Sequence, residues 1–142
     1  MTLSDGRELP ARLLARNKHL DLAALAVDEI GLPAMTIGDS RHLQPGQILL
    51  AAGHPWGVLG AVTAGVFIGH ESSRGQGGRG REWLVTDLRL RPGNSGGPMF
   101  HADGEMVGVS TMITGPDVAM AVPVHVAKGC LQEALRAEQA VA

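Results

Sequence analysis

Glycine punctuates this chain from end to end, and that spacing limits what it can build. Gly46, Gly53, Gly57, Gly60, Gly93, Gly104 and Gly115 separate short apolar runs. Twenty of the 142 residues are glycine and eight are proline, about twice the usual ~7% glycine usage. Such runs suit strands joined by turns, not long helices. Strands are expected at Leu9–Ala15, Leu20–Val27, Met35–Ile37, Gln47–Ala52, Ala61–Ile68, Trp83–Thr86, Pro98–Phe100, Met106–Ile113 and Val118–Val122. Leu20–Val27 has helical propensity as well; the turn signals Asn17-Lys18 and Gly31-Leu32-Pro33 on either side assign it to a strand. Asp5-Gly6 and Asp103-Gly104 are hairpin turn pairs.

One helix stands out. From Val124 to Ala140 the residues Val126, Cys130, Leu131 and Leu135 form an apolar stripe, and Pro123 precedes it. Many short strands closed by one helix predict an all-β barrel or sandwich. Gly31-Leu32-Pro33 is the best internal boundary, dividing 1–31 from 32–142. Ser72–Glu82 is rich in Gly and Arg and is expected to be a mobile surface loop.

The composition excludes several classes. With 44% hydrophobic and 18% charged residues, the chain can form a core. A net charge of −2 removes nucleic acid as the default partner. The single Cys130 excludes an internal disulfide framework and a multi-cysteine zinc site; its expected role is core packing. No metal or other cofactor is expected. No apolar run is long enough to span a membrane. The N-terminal residues are polar and lack a signal-peptide core, so the residues alone assign no compartment beyond that of synthesis.

The chemistry concentrates in Pro92-Gly93-Asn94-Ser95-Gly96-Gly97-Pro98. Glycines on both sides allow a tight turn and close approach of a substrate backbone. In such a turn the N–H groups of Gly93 and Ser95 can converge on a developing oxyanion while Ser95 Oγ attacks the carbonyl carbon. A serine needs a base to take its proton and an acid to orient that base.

Taken from Thr86 to Pro98, this stretch resembles the nucleophile loop of chymotrypsin-fold serine proteases, most closely the HtrA/Deg branch. The resemblance covers nearly the whole chain. Thr2–Glu8 is similar to a first-barrel hairpin, and Asp21–Val27 to the strand bearing the catalytic Asp. Gly53-His-Pro-Trp-Gly57 is similar to a family turn that usually has Asn where His54 stands. Val62–Val66, Gly104–Thr111 and Ala119–Pro123 are similar to second-barrel strands. It implies a double β-barrel with an incomplete first barrel, a complete second barrel and a C-terminal helix. It also implies Ser95 as nucleophile, Asp21 as orienting acid, and Gly93, Asn94 and Ser95 as the oxyanion loop. Thr111, Met112 and Ile113 would pair with an extended polypeptide substrate as an added strand. Thr114, Met120 and Ala121 would border the pocket for the residue before the scissile bond.

The triad order in this fold is His, Asp, Ser. The family's histidine belongs to a segment lying before the Thr2–Glu8 hairpin, so the resemblance implies a chain that starts inside its parent. The ranking of origins puts that first, a natural peptide-binding remnant second and half of a split enzyme third. His19, two residues from Asp21, would share its strand face at a Cα separation of ~6.6 Å, too far for a base–acid hydrogen bond. Two readings follow: a serine endopeptidase by descent, without its base in these residues, or a pseudoprotease that captures peptide without cleaving it. A third, nucleic-acid contact through Arg74–Arg81, lacks interleaved aromatics. Open first-barrel edges would favour homo-oligomers. The resemblance places the parent in the periplasm or cell envelope.

Overall fold

A computed structural model describes residues 1–3, 5–73, 80–115 and 117–140, with side chains throughout except at 112 and 113. The chain divides into two compact units: Met1–Ala34 with Lys128–Ala142, and Met35–Ala127.

The first unit is built on strands β1 (Ala11–Asn17) and β2 (Leu22–Val27). They pair antiparallel from Ala11↔Val27 to Asn17↔Leu22, with a register shift between Leu13 and Ala15. This is a two-stranded sheet, not a closed barrel. Its Leu13↔Leu25 pair stays exposed. Ahead of it, Thr2 and Glu8 form a single bridge around a turn in which Gly6 has φ +86° and donates its N–H to Leu3 O at 3.0 Å. Arg7 joins Asp5 at 2.8 Å and Glu29 at 2.9 Å. Leu20 and Asp21 belong to the turn between β1 and β2, not to a strand. The Asn17 side chain accepts the Leu20 N–H at 3.0 Å, an alternative to the sheet ladder that asparagine readily offers.

The second unit is a closed six-stranded barrel. Its strands are β3 (Ile48–Gly53), β4 (Ala61–Ser73), β5 (Arg81–Thr86), β6 (Pro98–His101), β7 (Met106–Gly115) and β8 (Val118–Pro123). Their order around the barrel is β3-β4-β5-β8-β7-β6. Leu49, Ala51, Phe67, Leu84, Met99, Val107, Ala119 and Ala121 fill it, with no exposed surface. Each large member contributes ~1.5–3 kcal/mol of burial. On β3 the two-residue period sends Leu49 and Ala51 inward, while Ile48 is exposed.

Three expectations shift. Met35–Ile37 is not a strand; Ile37 makes only a single parallel bridge to Met106. β4 runs five residues past Ile68, because its first half pairs with β3 and its second half with β5, with a register shift between Phe67 and Gly69. Of the loop expected at Ser72–Glu82, Ser72 and Ser73 pair with Glu82 and Arg81, and residues 74–79 lie outside the described residues.

Helix α1 (Val124–Gln139) follows β8 directly. No described helix is long and apolar enough to cross a membrane.

Candidate active site

The loop from Arg91 to Gly97 is held by a set of backbone and side-chain hydrogen bonds. Asn94 is 2% exposed. Its Oδ1 accepts the Arg91 N–H at 2.9 Å, its own N–H donates to Arg91 O at 2.9 Å, and its carbonyl accepts the Gly97 N–H at 2.9 Å. Gly96 N–H donates to Ser110 O at 2.7 Å, and Ser110 N–H to Gly97 O at 2.9 Å, which ties the loop to β7. Gly93 O accepts the His54 N–H at 2.8 Å. Among the described residues the N–H groups of Gly93 and Ser95 carry no hydrogen bond. Of the three residues expected to form the oxyanion loop, Asn94 has therefore committed its N–H, and the other two have not.

Glycine is required at position 93. Its φ is +103°, and a Cβ there would lie 2.5 Å from His54 O and 3.0 Å from Pro55 Cα. Gly53 is as constrained: a Cβ would meet Asn94 Cα and Gly93 O at 2.7 Å. The Gly53-His54-Pro55 segment thus packs backbone to backbone against the loop. The glycine pattern hinted at this close approach without naming the partner.

Ser95 is exposed, and its Oγ donates to Thr111 O at 3.0 Å. Its partner is a carbonyl, not a histidine. Three histidines of this unit have other side-chain partners. His42 Nδ1 lies 2.7 Å from Asp39 Oδ2. His70 Nδ1 lies 3.6 Å and His125 Nε2 3.2 Å from the Glu82 carboxylate. His54 is exposed and serves the loop through its backbone. In the first unit, Asp21 is an exposed turn residue with φ +55°, and His19 Nε2 is buried with no hydrogen-bond partner among the described residues. The strand geometry assumed for His19 and Asp21 does not apply.

β6 covers β7 only as far as Val109, and Gly97 extends the pairing to Ser110. Beyond that point Met112 pairs with Met120 and Ile113 with Ala119, all on the β8 side. A register shift lies between Ser110 and Met112. Thr111, Met112 and Ile113 are thus the stretch of β7 that runs past β6, starting at Ser95. Thr114 is exposed, whereas Met120 (6% exposed) and Ala121 (0%) are buried in the barrel.

Sequence reasoning missed one buried network. Ser40 has no exposed surface; its Oγ lies 2.8 Å from His125 Nδ1 and accepts the His125 N–H at 3.3 Å. The imidazole is thereby held between Ser40 and Glu82 at the start of α1. Asp39, just before, accepts the Arg41 N–H and pairs with His42; both hold its carboxyl below the usual range. Among the described residues, no three His, Cys, Asp or Glu side chains converge as metal ligands.

A model of the trypsin-like peptidase domain covers residues 1–109. This chain belongs to the trypsin-like peptidases. Within them it sits on the HtrA branch of the chymotrypsin fold. It is 36% identical over 132 residues to a probable periplasmic DegP-like serine endoprotease of Halomonas elongata, covering 89% of this chain and 28% of that one. It is 38% identical over 135 residues to the mitochondrial serine protease HTRA2 of Drosophila pseudoobscura pseudoobscura, covering 93% and 32%. A solved HtrA-type protease, AlgW with a decapeptide, superposes with a TM-score of 0.85 at 34% identity, over 95% of this chain and 43% of that one. The chain spans about a third or less of the length of these curated relatives.

Proposed function

We propose that this chain is the nucleophile-bearing part of an HtrA-type serine endopeptidase that acts on extended or unfolded polypeptide. The observation carrying this reading is Ser95, whose own N–H and that of Gly93 carry no hydrogen bond among the described residues, and whose Oγ donates to Thr111 O where β7 runs past its pairing with β6. An extended peptide would add as a strand along Thr111, Met112 and Ile113. Thr114, Met120 and Ala121 would border the pocket for the residue before the scissile bond. Ser95 Oγ would bond to the carbonyl carbon as its proton passes to a base. The carbonyl oxygen, now an anion, would accept hydrogen bonds from Gly93 and Ser95. Collapse would expel the amine with that proton and leave an acyl-serine for water to cleave. Asp21 would orient the base.

The base is the part we do not assign to these residues. Ser95 Oγ donates its hydrogen bond to Thr111 O, and a serine without a base retains little activity. We therefore read these 142 residues alone as a peptide-binding, non-hydrolysing body, with 1–31 as a partial first barrel and 32–142 as the second barrel with its helix. Homo-oligomers through the first unit's open strands fit the exposed Leu13↔Leu25 pair. The periplasmic DegP-like relatives favour the periplasm or cell envelope for the parent protein.

The test is a titration of the isotopically labelled chain with a capped, unstructured decapeptide, followed by NMR and peptide mass. Saturable shifts of the Met112 and Ile113 amides with the peptide left intact are expected. Shifts confined to other strands, or none, would overturn the binding mode; a cleaved peptide would overturn the non-hydrolysing reading.

A further inference from the structure

The nucleophile loop has a second face, and it lines a pocket that the peptidase chemistry does not use. The pocket holds about 240 Å³, enough for one amino-acid residue and below the ~300 Å³ of ordinary small-molecule sites. Its apolar walls come from Pro55, Trp56 and Val62, and its polar groups from Arg89, Arg91 and Asn94. Trp56 is 77% exposed at φ +54°, an unusual way to hold a large apolar ring in solvent.

We propose that this pocket binds a carboxylate carried on an apolar group. The charge balance points to it. Two arginines line the pocket and no acidic residue does. Nearby Asp87 is committed to the Val66 N–H. Asp117 lies 3.6 Å from Arg89 Nε, but both side chains are largely exposed, so this pairing holds little of Arg89 back. Arg91 spends one N–H on Leu90 O at 3.0 Å and keeps the rest of its fork. Asn94 is almost fully buried; its Oδ1 is taken by Arg91 N–H, and its Nδ2 has no hydrogen-bond partner among the described residues. The site thus offers donors in excess of acceptors beside an exposed indole. A carboxylate matches planar guanidinium donors two-to-two, and the apolar group would cover Trp56 and Val62. Because Asn94 directly precedes Ser95, the occupied pocket and the nucleophile share one loop.

The experiment follows the Trp56 indole N–H by NMR, assigned with Trp56→Phe. Three probes are compared: N-acetylphenylalanine, its carboxamide, and an acetylated Phe-Glu amide. A saturable shift with the carboxylates and none with the carboxamide is expected. Arg89→Gln with Arg91→Gln should weaken binding about tenfold or more, with amide dispersion unchanged as the folding check; Arg89→Lys should restore part of it. Tighter binding of N-acetylphenylalanine identifies a chain-end carboxylate, and tighter binding of the Phe-Glu amide an acidic side chain. Equal binding of the carboxamide, an unaltered double variant, or no saturable shift would overturn the proposal. So would inorganic phosphate giving the same shift at the same concentration.

Discussion

Asn94 and Arg91 are joined twice: Asn94 Oδ1 accepts the Arg91 N–H at 2.9 Å, and Asn94 N–H donates to Arg91 O at 2.9 Å. This reciprocal pair closes the nucleophile loop from inside, because the Asn94 side chain is buried. Asn94→Ala would leave the Arg91 N–H without its partner and a small void. A loss of about 1–3 kcal/mol is expected in urea unfolding, with hydrogen exchange faster at Ser95 and Gly96 than in the barrel strands. An unchanged midpoint would show that the loop is held by its glycines alone.

Gly93→Ala should be costlier. The new Cβ would press on His54 O at a φ that alanine resists. At least ~2 kcal/mol is expected from strain and overpacking together. Thermal denaturation of Gly93→Ala beside Gly46→Ala separates the causes, since Gly46 shares a positive φ but has open space around it. Equal effects would mean that backbone angle alone matters.

Ser40→Ala removes a buried hydroxyl that serves both the ring and the backbone N–H of His125. The expected loss is about 1–3 kcal/mol, read by denaturant unfolding. His125→Phe should cost a similar amount by stranding Ser40, and the double variant should cost less than the sum. Strict additivity would show that the two residues act independently.

Ser95→Cys provides a probe of the exposure of position 95. A thiol there would be solvent-exposed, without the burial that disfavours a thiolate. Cys130 is the internal contrast. Burial, and then the nearby Glu133 charge, push its thiol upward. Alkylation followed against pH should therefore show position 95 reacting at lower pH than Cys130. The reverse order would contradict an exposed position 95.

Asp39 gives the acid limb. Its carboxyl is held below the usual value of 3.8, first by the Arg41 N–H and then by His42. A depressed folded pKa means stability present above the unfolded pKa and lost as pH falls through the folded one. Asp39→Asn should flatten the melting temperature against pH below about pH 4 and leave the slope above pH 5 unchanged. An unaltered acid limb would assign it to other carboxylates, of which Asp5 is similarly lowered.

The tight turn at Pro92–Pro98 was legible because its glycines and the capping asparagine lie within seven residues. The second barrel was legible through turns such as Asp103-Gly104, where Gly104 N–H does donate to His101 O at 2.9 Å. Asp21 was misplaced because Leu20-Asp21-Leu22 alternates like a strand, while the Asn17 side chain bends it into a turn. β4 was cut short at Gly69, since a glycine reads as an end unless the change of partner strand is known. The Ser40–His125 contact spans 85 positions and has no local signature.

The most direct measurement is intact mass after treating the purified chain with a fluorophosphonate serine probe at neutral pH, beside Ser95→Ala. The probe needs an activated serine. The account predicts no stoichiometric adduct on either folded protein, because Ser95 donates to a carbonyl and no base is assigned to it. A stoichiometric adduct on the chain that disappears in Ser95→Ala would contradict it: a base within these residues, or in a second copy, would then reach Ser95.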